Sequence, residues 1–139
     1  MNLIRTANQM YEYATQNGFN EGTTFKWGIK HYHLIEEILE RDEIVRVCFI
    51  GLHKYESLIR NERNYAYCLT NQRFIMAQKG LIDESLSIIP LEDIISIEMN
   101  NNLSIGYLTI KTMNEKFNIG TTKTIVRKIY DELLKYFNN

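Results

Sequence analysis

YAYCLTNQRFIMAQKG, residues 65–80, reads as two β-strands joined by a tight turn at Asn71-Gln72. Apolar runs stand on both sides of the turn, and Gly80 closes the second strand. The spacing predicts strands at 64–70 and 73–79. Upstream, Val45, Val47 and Phe49 alternate with Ile44, Arg46, Cys48 and Ile50, so a strand from about Glu43 to Leu52 is apolar on both faces. One face then belongs to a core and the other is covered by a separate layer. Downstream come short strands at Leu86–Pro90, around Ile95, Ile97 and Met99, at 107–110 and at 116–119, with a triple-Asn turn at 100–102. Pro90 fits only a strand end or an edge.

The two ends of the chain switch to helical spacing. Leu3, Ile4, Ala7, Met10, Tyr11 and Ala14 predict a helix from Asn2 to Asn17, stopped by Gly18. A second helix is expected from Thr24, whose hydroxyl is placed to cap it, to about Glu40; Phe25, Ile29, Tyr32, Ile35, Ile38 and Leu39 share its apolar face. After a cap at Thr121 or Thr122, Ile125, Val126, Ile129, Tyr130, Leu133, Leu134 and Phe137 predict a four-turn helix packed along one side. Two segments follow, an N-terminal helical hairpin at 1–41 and an antiparallel sheet with a closing helix at 42–139.

Composition narrows the function classes. The 139 residues are 45% apolar and 24% charged, with a net charge of −1, enough for a core and without the basic excess of phosphate-neutralising proteins. Nucleic acid is therefore disfavoured. The first residues lack the apolar run of a signal peptide, and no segment approaches the roughly 18 apolar residues of a membrane span, so a cytoplasmic location is expected. Cys48 and Cys68 suit reduced, partly buried thiols, with a cross-strand disulfide as the alternative. His31 and His33, two apart on a helix, point about 200° apart and do not share a metal ion. Neither the acidic pairs Asp83-Glu84 and Glu92-Asp93 nor the serines have a catalytic partner nearby in sequence. No enzyme, metal or cofactor is implied.

Five segments, in order, carry a resemblance: DEIVRVCFIGL, YCLTNQRFIMAQKG, SIIPLEDIISIEM, GYLTIKT and IVRKIYDELLKYF. They resemble the bacterial pleckstrin-homology (PH)-like domains, particularly the YokE-like group, over 43–137. The recurring Leu-Thr-(Asn/Asp)-x-Arg-(Phe/Leu) pattern stands at Leu69, Thr70, Asn71, Arg73 and Phe74, and Ile-Pro-Leu-x-x-Ile at Ile89, Pro90, Leu91 and Ile94. The resemblance implies an α+β fold, a PH-like seven-stranded antiparallel barrel capped by a C-terminal helix, and a binding module without catalysis. It also points to the first inter-strand loop, where lipid-binding relatives hold inositol phosphates with cations. Here Lys54, Arg60 and Arg63, with Lys79 from the next hairpin, are the candidate ligand-binding residues, offset by Glu56 and Glu62. Tyr55, Leu58 and Ile59 add an apolar component to that loop. On the helical segment, Tyr11, Tyr13, Trp27 and Tyr32 are the candidate anchors for a protein partner or a second copy of the chain. The expected function is protein binding, one form being an accessory or inhibitor protein of a phage or other mobile element. The alternative is a membrane-surface module for anionic lipid head groups.

Overall fold

The structure, a computed structural model, describes residues 3–20 and 22–137. Seven antiparallel strands form one sheet: β1 Val45–Leu52, β2 Asn64–Thr70, β3 Arg73–Lys79, β4 Glu84–Pro90, β5 Ile94–Asn101, β6 Gly106–Thr112 and β7 Lys116–Thr121. Three helices accompany them: α1 Ala7–Asn17 and α2 Phe25–Ile38 before the sheet, and α3 Val126–Leu134 after it. The strand order is β4-β3-β2-β1-β7-β6-β5. The two halves meet at a short seam, where Leu52 pairs with Gly120 and the Tyr55 amide donates to the Asn118 carbonyl at 2.8 Å. The ends of the ladder, β4 and β5, are joined by a single 3-10 turn at Leu91–Asp93.

Alternation along β1–β3 assigns the two faces. Phe49, Tyr67 and Phe74 stack on the inner side at centroid distances of 4.8 and 5.8 Å. Cys48, Ile50, Cys68, Ile75 and Ala77 point the other way and are also buried. The outer layer is the α1–α2 hairpin, which packs across β1, β2 and β3. One apolar cluster includes Met10, Tyr32 and Ile35 of the helices, the inner residues of the strands, and Ile129 and Leu133 of α3. The Phe19 carbonyl between α1 and α2 even accepts the Ile50 amide of β1 at 2.9 Å. Cys48 and Cys68 are free thiols directly opposite each other, 3.8 Å apart at sulfur.

Several boundaries differ from the sequence expectation for identifiable reasons. The expected helix start at Asn2 lies outside the described residues, and Leu3–Arg5 are not helical. Thr6 starts α1 through a capping box, accepting the Gln9 amide while the Gln9 side chain accepts the Thr6 amide. Gly18 ends α1 with a φ of 75°, as its place after the apolar run predicts. Thr24 occupies the N-cap of α2, but its side chain makes no capping hydrogen bond, and the helix ends at Ile38. α3 covers nine residues instead of four turns. Ile125 and Phe137 pack against the core from either side of the helix, so apolar spacing overstates its length.

Glu43, expected at the start of β1, is instead a buried polar hub. Its carboxylate accepts from Arg73 Nε and Nη2, both at 2.8 Å, from Thr70 Oγ1 at 2.6 Å and from the Glu40 amide at 3.0 Å. Arg73 also donates to the Ile38 carbonyl at 2.6 Å, and Arg5 donates to the Glu43 carbonyl. Asn71 fastens the β2–β3 turn to Ile44, accepting its amide at 2.8 Å and donating its own to the Ile44 carbonyl at 2.9 Å. The Thr-Asn-x-Arg pattern is thus a clasp joining the end of α2, the entry to β1 and the β2–β3 turn. Burial alone would raise the Glu43 pKa, but the hydrogen bonds from Arg73, Thr70 and Glu40 outweigh it and hold the carboxyl below its ordinary value.

Candidate functional site: a loop rim with an adjoining groove

Antiparallel order places the β1–β2 and β3–β4 connections at the same end of the sheet. The seam at Leu52 and Gly120, together with the Thr121–Gly106 pair, brings the β5–β6 turn alongside them. Each connection has a hydrogen-bonded turn at its tip that leaves the apical side chains outside. In the first, Arg60 and Ser57 bond to each other through their backbones at 3.1 Å, and Asn61 Nδ2 donates to the Ser57 carbonyl. This forces Leu58 and Ile59 to the tip. The second is closed by the Gly80 amide on the Asp83 carbonyl at 2.8 Å, with Leu81 and Ile82 at its apex. In the third, Asn102 Oδ1 accepts the amides of Ser104 and Ile105 and turns Leu103 outward.

The resulting rim carries five large aliphatic side chains, with exposures of 64% for Leu58, 98% for Ile59, 88% for Leu81, 97% for Ile82 and 94% for Leu103. Scattered exposed aliphatics are ordinary, but here five stand on three neighbouring turns at one end of the sheet. Its base is firm. His53 is buried under the first loop, stacked on Tyr65 at 4.2 Å, with Nδ1 2.9 Å from the Tyr67 hydroxyl. Burial, then the neighbouring Lys54, lowers its pKa to about 4, so it is neutral at pH 7. Burial likewise raises the Tyr67 phenol. Tyr55 folds back and is itself buried.

The four cations expected to hold a ligand do not converge. Lys54 lies 3.9 Å from Glu62 and lines a depression with Tyr55, Glu115 and Lys116. Arg60 belongs to the first tip. Arg63 and Lys79 line a separate groove under α2 with Trp27 and His31, and Lys79 is bound to Glu84 at 3.0 Å. Across these two loops Lys54, Arg60, Arg63 and Lys79 are matched by Glu56, Glu62, Asp83 and Glu84.

The helical anchors divide three to one. Tyr32 is fully buried and donates to Asn20 Oδ1 at 3.1 Å. Tyr11 sits edge-on to Phe25 and Tyr32, and Tyr13 edge-on to Phe19. These tyrosines hold the hairpin together and onto the sheet. Trp27, 44% exposed, is the one facing outward, with Lys30 Nζ 4.7 Å from its ring centre. His31 and His33 diverge as helical spacing requires: His31 turns to β3, and His33 lies 3.7 Å from Glu36 on the outer side. Sequence reasoning noticed Leu58 and Ile59 and missed Leu81, Ile82 and Leu103. The available signal was an aliphatic pair inside a Gly-to-Asp turn.

The family model for the bacterial PH domain matches residues 39–135, more than half of the chain. This chain belongs to the bacterial PH domain family. The match spans all seven strands and α3 of the PH-domain chain and leaves the α1–α2 hairpin outside it. A solved PH-domain structure, a DUF1696 family protein from Shewanella loihica PV-4, is similar with a TM-score of 0.51 at 15% identity, over 91% of this chain and 92% of that one. That likeness concerns the fold. No curated protein matches the sequence. Among the described residues no helix is long and apolar enough to cross a membrane.

Proposed function

We propose that this bacterial PH domain is a non-enzymatic, cytoplasmic binding module that docks a protein partner through its loop rim. The observation that carries the reading is the cluster of exposed aliphatics at Leu58, Ile59, Leu81, Ile82 and Leu103. Removing five such side chains from water supplies on the order of 10 kcal/mol gross, comparable with the entropic cost of association that any partner contact has to offset. The balance of four cations and four carboxylates around the first two tips favours a protein over an anionic bilayer, which is recognised by a surplus of Lys and Arg. The inward-facing tyrosines move the proposed contact from the helical hairpin to the rim. The Leu69–Phe74 and Ile89–Ile94 patterns support placement in the YokE-like group, and an accessory protein of a phage or prophage is the form of function we favour.

The test pairs Ile59→Glu with Ile82→Glu. Both side chains are almost fully exposed, so the double variant is expected to melt like the parent. A partner captured stoichiometrically by the parent is expected to be lost by the variant. Equal capture by both proteins overturns the rim as the docking site. Sedimentation of the parent with anionic vesicles, abolished by the same substitutions, would transfer the assignment to the membrane reading.

A further inference from the structure

Between the N-terminal half of α2 and the rim-facing ends of β2 and β3 lies a groove of about 760 Å³, in the size range of small-molecule sites. One wall comes from the helical segment that lies outside the family match and the other from β2, β3 and the start of the β3–β4 turn, where Leu81 is shared with the rim. Trp27 supplies one flat side. Arg63 and Lys79 supply charge, and Thr23 and Thr24 bring the first turn of α2, which contains no acidic residue and no side-chain cap. His31 lines the same groove and is only 6% exposed. The Lys79 amide donates to His31 Nδ1 at 2.9 Å. That bond commits Nδ1 as an acceptor and leaves the ring proton on Nε2. Burial lowers the His31 pKa, in keeping with a neutral ring. Among the described residues Nε2 has no acceptor and no buried side-chain nitrogen is left unpartnered, so this N–H keeps contact with solvent in a residue that lines the groove.

We infer that this groove binds a small phosphate monoester that also bears a planar ring, such as a nucleoside monophosphate, with His31 Nε2–H and Arg63 on the phosphate and Trp27 against the ring. A phosphate offers acceptors in several directions, so it meets a neutral N–H, a guanidinium and the amides of a helix start together. Lys79 contributes less, because Glu84 already holds its ammonium. The exposed indole suits a flat ring, and Lys26 and Lys30 beside it keep the entrance positive.

Trp27 is the only tryptophan of the chain, so its fluorescence reads the groove directly. AMP is the probe, with adenosine, ribose 5-phosphate and inorganic phosphate as partial ligands. AMP is expected to change the emission saturably, with each partial ligand at least about tenfold weaker. His31→Asn keeps an acceptor near the Lys79 amide but lacks the Nε2 donor, and Arg63→Gln removes the charge. Each is expected to weaken AMP about fivefold or more, the scale of losing one hydrogen bond to a charged group, and Arg63→Gln, at an exposed position, to do so with an unchanged melting temperature. The absence of a saturable response to AMP overturns the inference. So does equal affinity for adenosine and AMP, or undiminished binding by both variants. None of these results bears on the rim, which the Ile59 and Ile82 substitutions test separately.

Discussion

Replacing Arg73 with Met tests whether the Thr-Asn-x-Arg pattern is a structural clasp. The Glu43 side chain has no solvent exposure, and that of Arg73 is 15% exposed. Met fills most of the volume but deletes both bonds to the carboxylate and the one to the Ile38 carbonyl. Thr70 and the Glu40 amide then remain as the carboxylate's only partners. Removing one member of a buried ion pair typically costs about 3–5 kcal/mol, a large share of the roughly 5–15 kcal/mol that stabilises a domain. For a chain of this size the melting temperature should fall by about 10–20 °C. Urea unfolding with an unchanged m-value is the assay. Glu43→Leu combined with Arg73→Met should lose less than Arg73→Met alone, because no unpaired charge stays behind. The pH dependence adds a signature. In the parent the lowered Glu43 pKa contributes stability above pH 4.5, and this is lost as pH falls through the folded-state value. Without Arg73, burial raises that pKa, so the cost of the substitution is greatest at neutral pH and shrinks on acidification. A loss below about 1 kcal/mol, or a double variant as unstable as the sum of the singles, refutes the clasp.

Three further outcomes follow from the packing. His53 has a folded-state pKa of about 4 against 6.5 unfolded, so its contribution is complete above pH 6.5 and declines as pH falls toward 4, by roughly 3 kcal/mol in total; titration of the His53 ring by NMR near 6.5 in the folded protein would contradict it. Gly106→Ala places a Cβ 2.5 Å from Val126 Cγ1 and 3.2 Å from the Thr122 carbonyl oxygen, pushing α3 off β6. About 1–3 kcal/mol should be lost in denaturant unfolding, and an unchanged midpoint would show that α3 is not seated there. We propose that the helical segment 1–41 and the PH-like part 42–139 fold as one unit. Deleting residues 1–40 should therefore give an insoluble or molten chain by near-UV circular dichroism, and a cooperatively folded remainder would establish two independent units.

The β2–β3 hairpin was legible in the sequence because two short apolar runs around a two-residue turn suffice to define it, and its strands fall where the pattern puts them. The double-sided apolar pattern of β1 likewise announced a covering layer, which the α1–α2 hairpin supplies. Glu43 was not legible. A carboxylate before a strand looks solvated until Arg73, thirty residues on, is folded against it. Tyr11, Tyr13 and Tyr32 show a related limit: residue type suggests an interface, but only packing reveals that these rings turn inward. The rim was hidden for the opposite reason. Leu81, Ile82 and Leu103 sit in turns, where sequence patterns describe the backbone bend and say nothing of what stands at the apex.

The rim as the place of contact is tested most directly by photo-crosslinking in intact cells. A benzophenone amino acid is placed singly at Ile59, Ile82 or Leu103, with exposed Met113 and Ile95 as controls. Adducts of one common size from the three rim positions, absent from both controls, are the predicted result. Adducts from Met113 or Ile95 with none from the rim would contradict the account.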